Sequence, residues 1–365
     1  MKILLNKNTA VFVIVIFITL LLGLVAPLLL PDKYYFDANL IVSDPGNEKG
    51  FMGSYSFTMW FYDFIKLNRL NYSIIAIIQL PVIFLIIRKL GIPEIFSKLY
   101  LRNALVWVSF VILGVYLGMP SKEFITIIYI SIICFILQST MQLKIKIFII
   151  TSLFLFFGFW FRPYFSLVPL LALALSLVTS FKIKNKVFLN ILTGLLITCF
   201  ISLSYGILKG EFMSEGTREK LNIKRQGRDN SQTIIVSPIK TDNFVGESVS
   251  IFYGFFTVNF PINGLKFFYK PQVIAFVLWQ LIMSVYILFF YNKCLKQRST
   301  YSQELWVFHY IIAYFIIQGV FEPDLGSAVK HKLGVIPLIY LAIYYDQKLL
   351  NTSRKKIKYV FKIKE

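Results

Sequence analysis

Charged residues are scarce in this chain of 365 residues, at 15% of the sequence. Soluble globular domains carry about 25% charged residues, so the shortage excludes an ordinary soluble domain. The hydrophobic content of 57% likewise excludes an intrinsically disordered chain. Lysine and arginine nevertheless outnumber aspartate and glutamate by 38 to 18, which gives a net charge of +20. An apolar but basic sequence leaves two classes open, a nucleic-acid binder and a membrane protein, and the distribution of the charges decides between them.

Cysteine and histidine are also few, with three and two residues. The sequence contains no Walker loop and no GxGxxG, CxxC or HExxH motif, which argues against ATP-driven work and against a His/Cys zinc site. We therefore expect no metal and no nucleotide cofactor. Cys134 and Cys199 fall in predicted helices and Cys294 in a predicted cytoplasmic loop, so no structural disulfide is expected.

Long apolar runs separate the charges. A run of about 18 apolar residues can cross a bilayer as a helix, and ten segments approach or exceed that length. They predict an all-α, polytopic membrane protein with about ten transmembrane helices, which forms a single domain over residues 1–365. The predicted segments are 10–30, 71–87, 103–119, 124–140, 147–161, 165–181, 187–208, 271–291, 304–321 and 333–350.

The basic residues lie mainly in alternate connections between these segments. One set of connections, with both termini, holds 21 basic and 4 acidic residues, whereas the other set holds 17 and 14. Because cytoplasmic loops are enriched in lysine and arginine, both termini are predicted to be cytoplasmic. Two longer loops, 31–70 and 209–270, are then periplasmic, and their apolar stretches 51–67 and 250–268 are predicted to be interfacial or re-entrant. The net positive charge is therefore explained by the membrane topology and by contact of the basic loops with the headgroups of the lipid bilayer. No nucleic-acid partner is needed to account for it, and none is expected.

Polar residues form small clusters on the predicted periplasmic side. Lys122 and Glu123 stand together between two apolar helices, where charges are costly unless they are paired or hydrated. Arg162 and Tyr164 follow the fifth segment. An isolated outer arginine serves no topological purpose, and its planar fork of donors suits a phosphate or carboxylate. The alternatives are a snorkelling turn for the first pair and, for Arg162, a structural clamp to a carbonyl or to Glu123.

A further cluster, residues 322–332, joins two acids to three basic groups at the mouth of the last two helices. Histidine is the usual acid or base near neutral pH, so His331 is a candidate general base, which Glu322 or Asp324 could orient or replace. Lys330 and Lys332 could neutralise a phosphate. A solvated, charged turn is the alternative.

The two longer loops add acidic and basic candidates of their own. Asp37 follows three aromatic residues just after the first segment and could act as a base or orient a hydroxyl. The alternative is a solvated acid beside an aromatic belt. The second loop carries arginines that could form a mobile cationic arm for an anionic substrate, or only a solvated surface: Arg218, Arg225 and Arg228.

Together these features resemble the O-antigen and surface-polysaccharide polymerases (Wzy-type), which are glycosyltransferases of the bacterial inner membrane. The likeness covers the whole chain as architecture. Locally it is carried by Tyr35-Phe36-Asp37, Ser121-Lys122-Glu123, Arg162-Pro163 and Glu322-Pro323-Asp324 with Lys330-His331.

The resemblance implies a concrete reaction. Oligosaccharide repeat units linked to undecaprenyl diphosphate would be joined at the periplasmic face, with the lipid diphosphate as leaving group and without metal or nucleotide. Cations at headgroup depth would hold the diphosphate, a base would activate the acceptor hydroxyl, and a chain-length regulator would be a partner. The candidate diphosphate ligands are Arg162, Lys122, Lys330 and Lys332, and the candidate bases are Glu322, Asp324 and His331.

Other activities fit the same composition. A transferase that adds one sugar from a polyprenyl monophosphate would carry its catalytic acid in the first outer loop, where Asp37 lies. A flippase for lipid-linked oligosaccharides would be expected to have more than ten transmembrane helices, with charged residues along them. The centres of the predicted helices hold almost no charged residues. A membrane acyltransferase is a further alternative.

Overall fold

The computed structural model describes residues 6–181, 184–225 and 233–350. In these ranges the chain is all-α, apart from one short antiparallel ribbon of β1 (Ile92–Pro93) and β2 (Leu349–Leu350). The described α-helices, in chain order, are α1 Lys7–Leu29, α2 Phe36–Ser43, α3 Ser54–Phe64, α4 Tyr72–Leu90, α5 Leu101–Leu117, α6 Lys122–Gln138, α7 Leu143–Trp160, α8 Leu167–Thr179, α9 Lys186–Lys209, α10 Lys220–Arg225, α11 Phe244–Asn259, α12 Pro271–Lys296, α13 Glu304–Phe321, α14 Leu325–Gly334 and α15 Ile336–Ile343.

Six of the described helices are long and apolar enough to cross a membrane, namely α1, α4, α7, α9, α12 and α13. Each coincides with a predicted segment, because in an apolar setting a run of apolar side chains can satisfy its backbone groups only as a helix. The prolines inside α1 and α4, Pro27 and Pro81, do not end those helices. The shorter helices α5, α6 and α8 cover three further predicted segments. The all-α class is thereby confirmed.

The prediction of one continuous helix over 333–350 is wrong. Helix α14 ends at Gly334, Val335 leaves the helical conformation with φ −106° and ψ 14°, and α15 begins at Ile336. Pro337 explains the break, since its ring clashes with the carbonyl four residues earlier and it lacks an N–H. Every residue of α15 is buried, so the apolar run reflects packing inside the bundle. Tyr344, just after α15, donates a hydrogen bond to Asn103 Oδ1 at 2.7 Å.

Contacts between helix termini define the two ends of the bundle. At one end of the bundle, Ser73 at the start of α4 donates to the carbonyl of Leu24 near the end of α1, at 2.8 Å. At the other end, Lys146 at the start of α7 donates to Gln303, just before α13, at 2.7 Å. The first end, which also collects the polar clusters of the predicted outer loops, is called the site end below.

The predicted outer loop 209–270 is largely folded into the bundle. Helix α11 packs on α13 so closely that a Cβ on Gly319 would lie 2.6 Å from the backbone of Phe255. Arg218 is fully buried, and it donates to the carbonyls of Gly319 at 2.9 Å and Ser250 at 3.2 Å. For this residue the expectation of a mobile cationic arm is wrong, because the guanidinium is buried and bound by carbonyls at the crossing of the two helices.

We expect Gly319→Ala to lower the melting temperature of the purified protein, because the added methyl group must push α11 away from α13. Overpacking of this kind costs about 1–3 kcal/mol. Gly50→Ala is the control, since a Cβ there meets its nearest atom at 3.7 Å, an ordinary contact. Equal melting temperatures for Gly319→Ala and the wild type would contradict the close crossing.

Candidate functional site

Four side chains from three separate stretches of sequence, Glu123, Arg162, Glu322 and His331, form an ion cluster at the site end. It is called the buried ion cluster below, because all of its side chains except that of His331 are at most 4% exposed. Arg162 Nη2 donates to Glu123 Oε1 at 2.6 Å, and these two residues are only 4% and 0% exposed. Glu322 Oε1 lies 2.6 Å from His331 Nδ1, and His331 Nε2 lies 3.5 Å from Glu123 Oε1. The imidazole therefore stands between two carboxylates, one of which is neutralised by the guanidinium.

Local sequence signals put these side chains there. Ser121 caps α6 by accepting a hydrogen bond from the amide of Phe124 at 3.2 Å, which sets Glu123 in the first helical turn. Arg162 is held in an extended conformation before Pro163, where the chain turns from α7 toward α8. Glu322 directly follows α13 as its C-cap residue. Helix termini thus supply most of the cluster, so its members meet at one depth of the bundle.

Helix α13 and its aromatic residues hold the other half of the cluster. Gln318 Nε2 donates both to Glu322 Oε1 at 3.0 Å and to the carbonyl of Ala328 at 2.8 Å, so it joins α13 to α14. Tyr314 donates to the carbonyl of His331 at 3.1 Å. Tyr164 stacks on Phe321, with ring centroids 5.5 Å apart. The Glu322–His331 pair is therefore fixed from both of its helices.

Asp37 and Lys330 form a second ion pair beside this cluster. Lys330 Nζ donates to Asp37 Oδ2 at 2.7 Å, and the Tyr55 hydroxyl donates to Oδ1 at 2.9 Å. Burial alone would raise the pKa of Asp37, but the nearby Lys330 and Lys122 ammonium groups hold it well below its usual value. Burial lowers and the Asp37 and Glu123 carboxylates raise the pKa of Lys330, with a raised pKa as the result. Asp37 is thus a carboxylate at neutral pH that can orient a hydroxyl but is a weak base.

Lys122 lies over the ring of Tyr55, with its Nζ 3.5 Å from the ring centroid. The lysine is only 7% exposed. A cation–π contact of this kind stabilises an ammonium group where few water molecules can reach it. The first outer segment, through Tyr55 and Asp37, therefore contacts Lys122 and Lys330, two of the three lysines that the sequence assigned to phosphate binding.

Asp324 belongs to a third ion pair, with Arg225. It also caps α14, because its Oδ1 accepts a hydrogen bond from the amide of Ser327 at 2.8 Å, and Ser327 Oγ donates to Oδ2 at 2.7 Å. The extended stretch before it pairs with the outer segment, since the amide of Ile235 donates to the carbonyl of Pro323 at 2.8 Å. The middle of the 209–270 segment is held against the site in this way.

A cavity of about 250 Å³ opens at the site end between α2, α5, α12 and α14. Both partners of the second and third ion pairs line it, so Asp37, Lys330, Asp324 and Arg225 face one space. The residues of the buried ion cluster do not line it. They connect to it through α14, where His331 follows the cavity-lining Lys330 in sequence.

The remaining predicted site residues lie elsewhere. Lys332 is fully buried, with its Nζ 3.4 Å from the carbonyl of Val258 and 5.0 Å from the ring centroid of Phe315. Arg218 is at the α11–α13 crossing, and Arg228 lies outside the described residues. Neither Lys332 nor Arg218 lines the cavity.

Sequence reasoning missed Tyr55, Gln318 and Gln280. Gln280 lies in α12 within an otherwise apolar stretch and lines the cavity. A polar residue inside a predicted membrane segment is a functional signal by itself, so Gln280 could have been found. Tyr55 gave no comparable signal, because aromatic residues are common near membrane interfaces. Among the described residues no group of three or more His, Cys, Asp or Glu could hold a metal ion.

Comparison with known proteins adds no family to this geometry. No protein-family model matches the chain, and no curated protein and no solved structure shows significant similarity to it. The function must therefore be argued from the site itself.

The arrangement can bind a polar group and handle a proton. A carboxylate at the Nδ1 of a histidine fixes the ring orientation and stabilises the imidazolium form, and Glu322 stands in that position. One oxygen each of Glu123 and Glu322, and Arg162 Nη1, have no hydrogen-bond partner in the described part of the chain. The cluster thus keeps hydrogen-bonding capacity, which a purely structural network would use up.

We expect Arg162→Met and Glu123→Gln each to destabilise the protein strongly, by about 3–5 kcal/mol, since each leaves a buried partner without its counter-ion. The double variant should be less destabilised than the sum of the single variants, because neither charge is then left unpaired. Thermal unfolding of the purified protein measures all three. Lys220→Met is the control, since Lys220 belongs to an exposed ion pair with Glu211. Additive losses would contradict the pairing.

Proposed function

We propose that the chain is a polymerase of O-antigen or a related surface polysaccharide. It joins undecaprenyl-diphosphate-linked oligosaccharide repeat units at the periplasmic face of the bacterial inner membrane. The observation that carries the proposal is the convergence of distant polar clusters on one end of an apolar bundle. There Asp37, Asp324, Arg225 and Lys330 line a cavity beside the buried His331–Glu322 pair. A membrane enzyme that acts on a lipid-linked, water-facing substrate needs this combination of a headgroup-depth cavity and ions.

We infer a topology of ten crossings with both termini in the cytoplasm, so that the site end faces the periplasm. Helices α1, α4 to α9, α12 and α13 supply nine crossings, with α5, α6 and α8 as the shorter ones. The pair α14–α15 supplies the tenth in two pieces, since it leads from the Lys330–Asp37 contact at the site end to the Tyr344–Asn103 contact at the opposite end. The excess of basic residues in the connections at that opposite end agrees with a cytoplasmic location.

The chemistry assigns a role to each pair. The acceptor hydroxyl oxygen bonds to the anomeric carbon of the donor chain, the bond from that carbon to the lipid diphosphate breaks, and the hydroxyl proton passes to a base. His331 does not line the cavity but is 22% exposed beside it, and in our proposal it takes that proton through a bridging water molecule, because Glu322 orients its ring and stabilises the charge. Asp37 orients the hydroxyl. Lys330 and Arg225 stabilise the negative charge that develops on the leaving diphosphate.

A single-sugar transferase that uses a polyprenyl monophosphate is the second candidate. One observation favours it, which is that Asp37, an acid of the first outer segment, lines the cavity. The length of the product separates the two activities, because this enzyme adds one sugar and a polymerase makes a ladder of repeat lengths.

Deletion of the gene in its native host, followed by complementation, tests the proposal. We expect wild-type protein to restore a ladder of polysaccharide on a gel, and Asp37→Asn, Asp324→Asn and His331→Ala to reduce it by at least about tenfold, the scale of a lost catalytic or charged group. Asp324→Asn is informative because asparagine caps a helix as well as aspartate does, so only the charge is removed.

Lys220→Met, on the same outer segment as Arg225 but in an exposed pair, is the control and should leave the ladder unchanged. Protein levels are compared by immunoblot. A product one sugar longer than the acceptor, without a ladder, would favour the second candidate. A ladder that survives the gene deletion, or that all three variants restore in full, would refute the assignment.

A further inference from the structure

The cavity reaches deep along α12, and its inner end is marked by Gln280. Gln272, Phe276 and Gln280 line the cavity at intervals of four residues, so one stripe of the helix faces it. Gln280 lies nine residues after Pro271, the first residue of the helix, which places it about 13 Å further along the axis. That depth is well inside the apolar part of the bundle.

The hydrogen bonding of Gln280 is incomplete. The side chain is 2% exposed, and its Nε2 donates to Ser284 Oγ at 2.9 Å. Its Oε1 is buried and has no hydrogen-bond partner among the described residues. An unsatisfied buried acceptor destabilises a folded protein, and this one belongs to a side chain that lines the cavity. The acceptor is therefore available to a ligand that carries a hydrogen-bond donor.

The surroundings exclude an anionic group at this depth. Among the described residues, three cationic side chains line the cavity. Lys330 and Arg225 are each paired with a cavity-lining carboxylate, and Lys270 lies at the start of α12, ten residues and about 15 Å before Gln280. Near Gln280 on α12 the lining is apolar, with Phe276 and Val277. A phosphate there would meet a carbonyl oxygen and hydrocarbon, without a counter-ion. An uncharged ring that carries hydroxyl groups would satisfy the oxygen and pack its carbons on the apolar wall.

We propose that the inner end of the cavity is a subsite for an uncharged sugar ring, and that one hydroxyl of this ring donates a hydrogen bond to Gln280 Oε1. The inference rests on the proposed function and adds to it which part of the lipid-linked substrate lies here. The diphosphate lies outside this subsite, toward the mouth. Gln280 then selects the substrate, since a site built to bind a hydroxyl rejects the corresponding deoxy sugar.

Three substitutions of Gln280 separate a sugar subsite from a phosphate subsite. Gln280→Met removes the acceptor with little change in size, Gln280→Glu keeps an acceptor but adds a negative charge, and Gln280→Lys supplies a cation and no acceptor. For a hydroxyl donor we expect the ladder of the complemented strain to fall about tenfold with methionine, the scale of one lost hydrogen bond. Lysine should be at least as harmful, and glutamate should stay closest to wild type. A subsite for diphosphate predicts the reverse order, with glutamate the most harmful and lysine the best tolerated.

Asn292→Leu is the matched control, because Asn292 carries an amide on the same helix, α12, but is exposed and does not line the cavity. It should retain the wild-type ladder. The melting temperature of purified Gln280→Met provides a readout that a structural role would move. We expect it to stay close to that of the wild type, since the loss of the hydrogen bond to Ser284 is offset by the removal of an unsatisfied oxygen, whereas a clear decrease would mean that Gln280 only holds the helix in place.

The outcomes distinguish the two levels of the proposal. If wild-type protein restores a ladder and Gln280→Met restores it equally well, the sugar subsite is refuted and the polymerase proposal stands. If wild-type protein restores no ladder, the proposed function fails and the subsite fails with it.

Discussion

The ion pair between Arg162 and Glu123 is the constraint on which the site depends. An arginine and a glutamate that are almost completely buried in an apolar bundle must meet, since an unpaired charge there is far more costly than an unsatisfied neutral group. The start of α6 and the connection from α7 to α8 are thereby fixed side by side. Glu322 and His331 complete the same network from α13 and α14. Four helix ends are held at one level, and the cavity opens beside them.

The charges of the chain consequently perform two separate tasks. Among the described residues, the connections at the end of the bundle opposite the site hold an excess of lysine and arginine, which is typical of a cytoplasmic membrane surface. At the site end basic and acidic groups are nearly balanced, and the structure pairs them: Arg162 with Glu123, Lys330 with Asp37, and Arg225 with Asp324. The net charge alone says little about chemistry, whereas the pairs define where it can occur.

The sequence predicts the helices well and their tertiary contacts poorly. Apolar runs locate α1 and α13 because a membrane-length helix needs little beyond hydrophobic length. The same reasoning fails at 333–350, where Pro337 divides the run and the second piece is buried by its neighbours. Arg218 looks like a solvated loop residue in sequence but is bound by carbonyls between α11 and α13. No local pattern reveals that contact, because its partners are 32 and 101 residues away.

The candidate site residues show the same difference between what the sequence predicts and what only the tertiary contacts reveal. Proximity of Arg162 to Glu123 was one of the alternatives that the sequence allowed, and it is the one that the structure contains. The pairing of Asp37 with Lys330 joins residues 293 positions apart, which a single sequence does not encode in any readable way. The mouth of the cavity is lined by ions, whereas its inner end is apolar and carries one amide side chain. This difference also appears only when α12 and α14 are placed together.

The central claim is that the outer segments converge into one site on the periplasmic side. Chemical cross-linking tests this claim most directly. Asp37→Cys and Lys330→Cys would be combined in a chain whose three native cysteines, all buried, are replaced. In intact cells with a permeabilised outer membrane, a short bifunctional thiol reagent that cannot cross the inner membrane should join the two positions. A cross-link that forms only after the inner membrane is disrupted, or that never forms, would contradict the account.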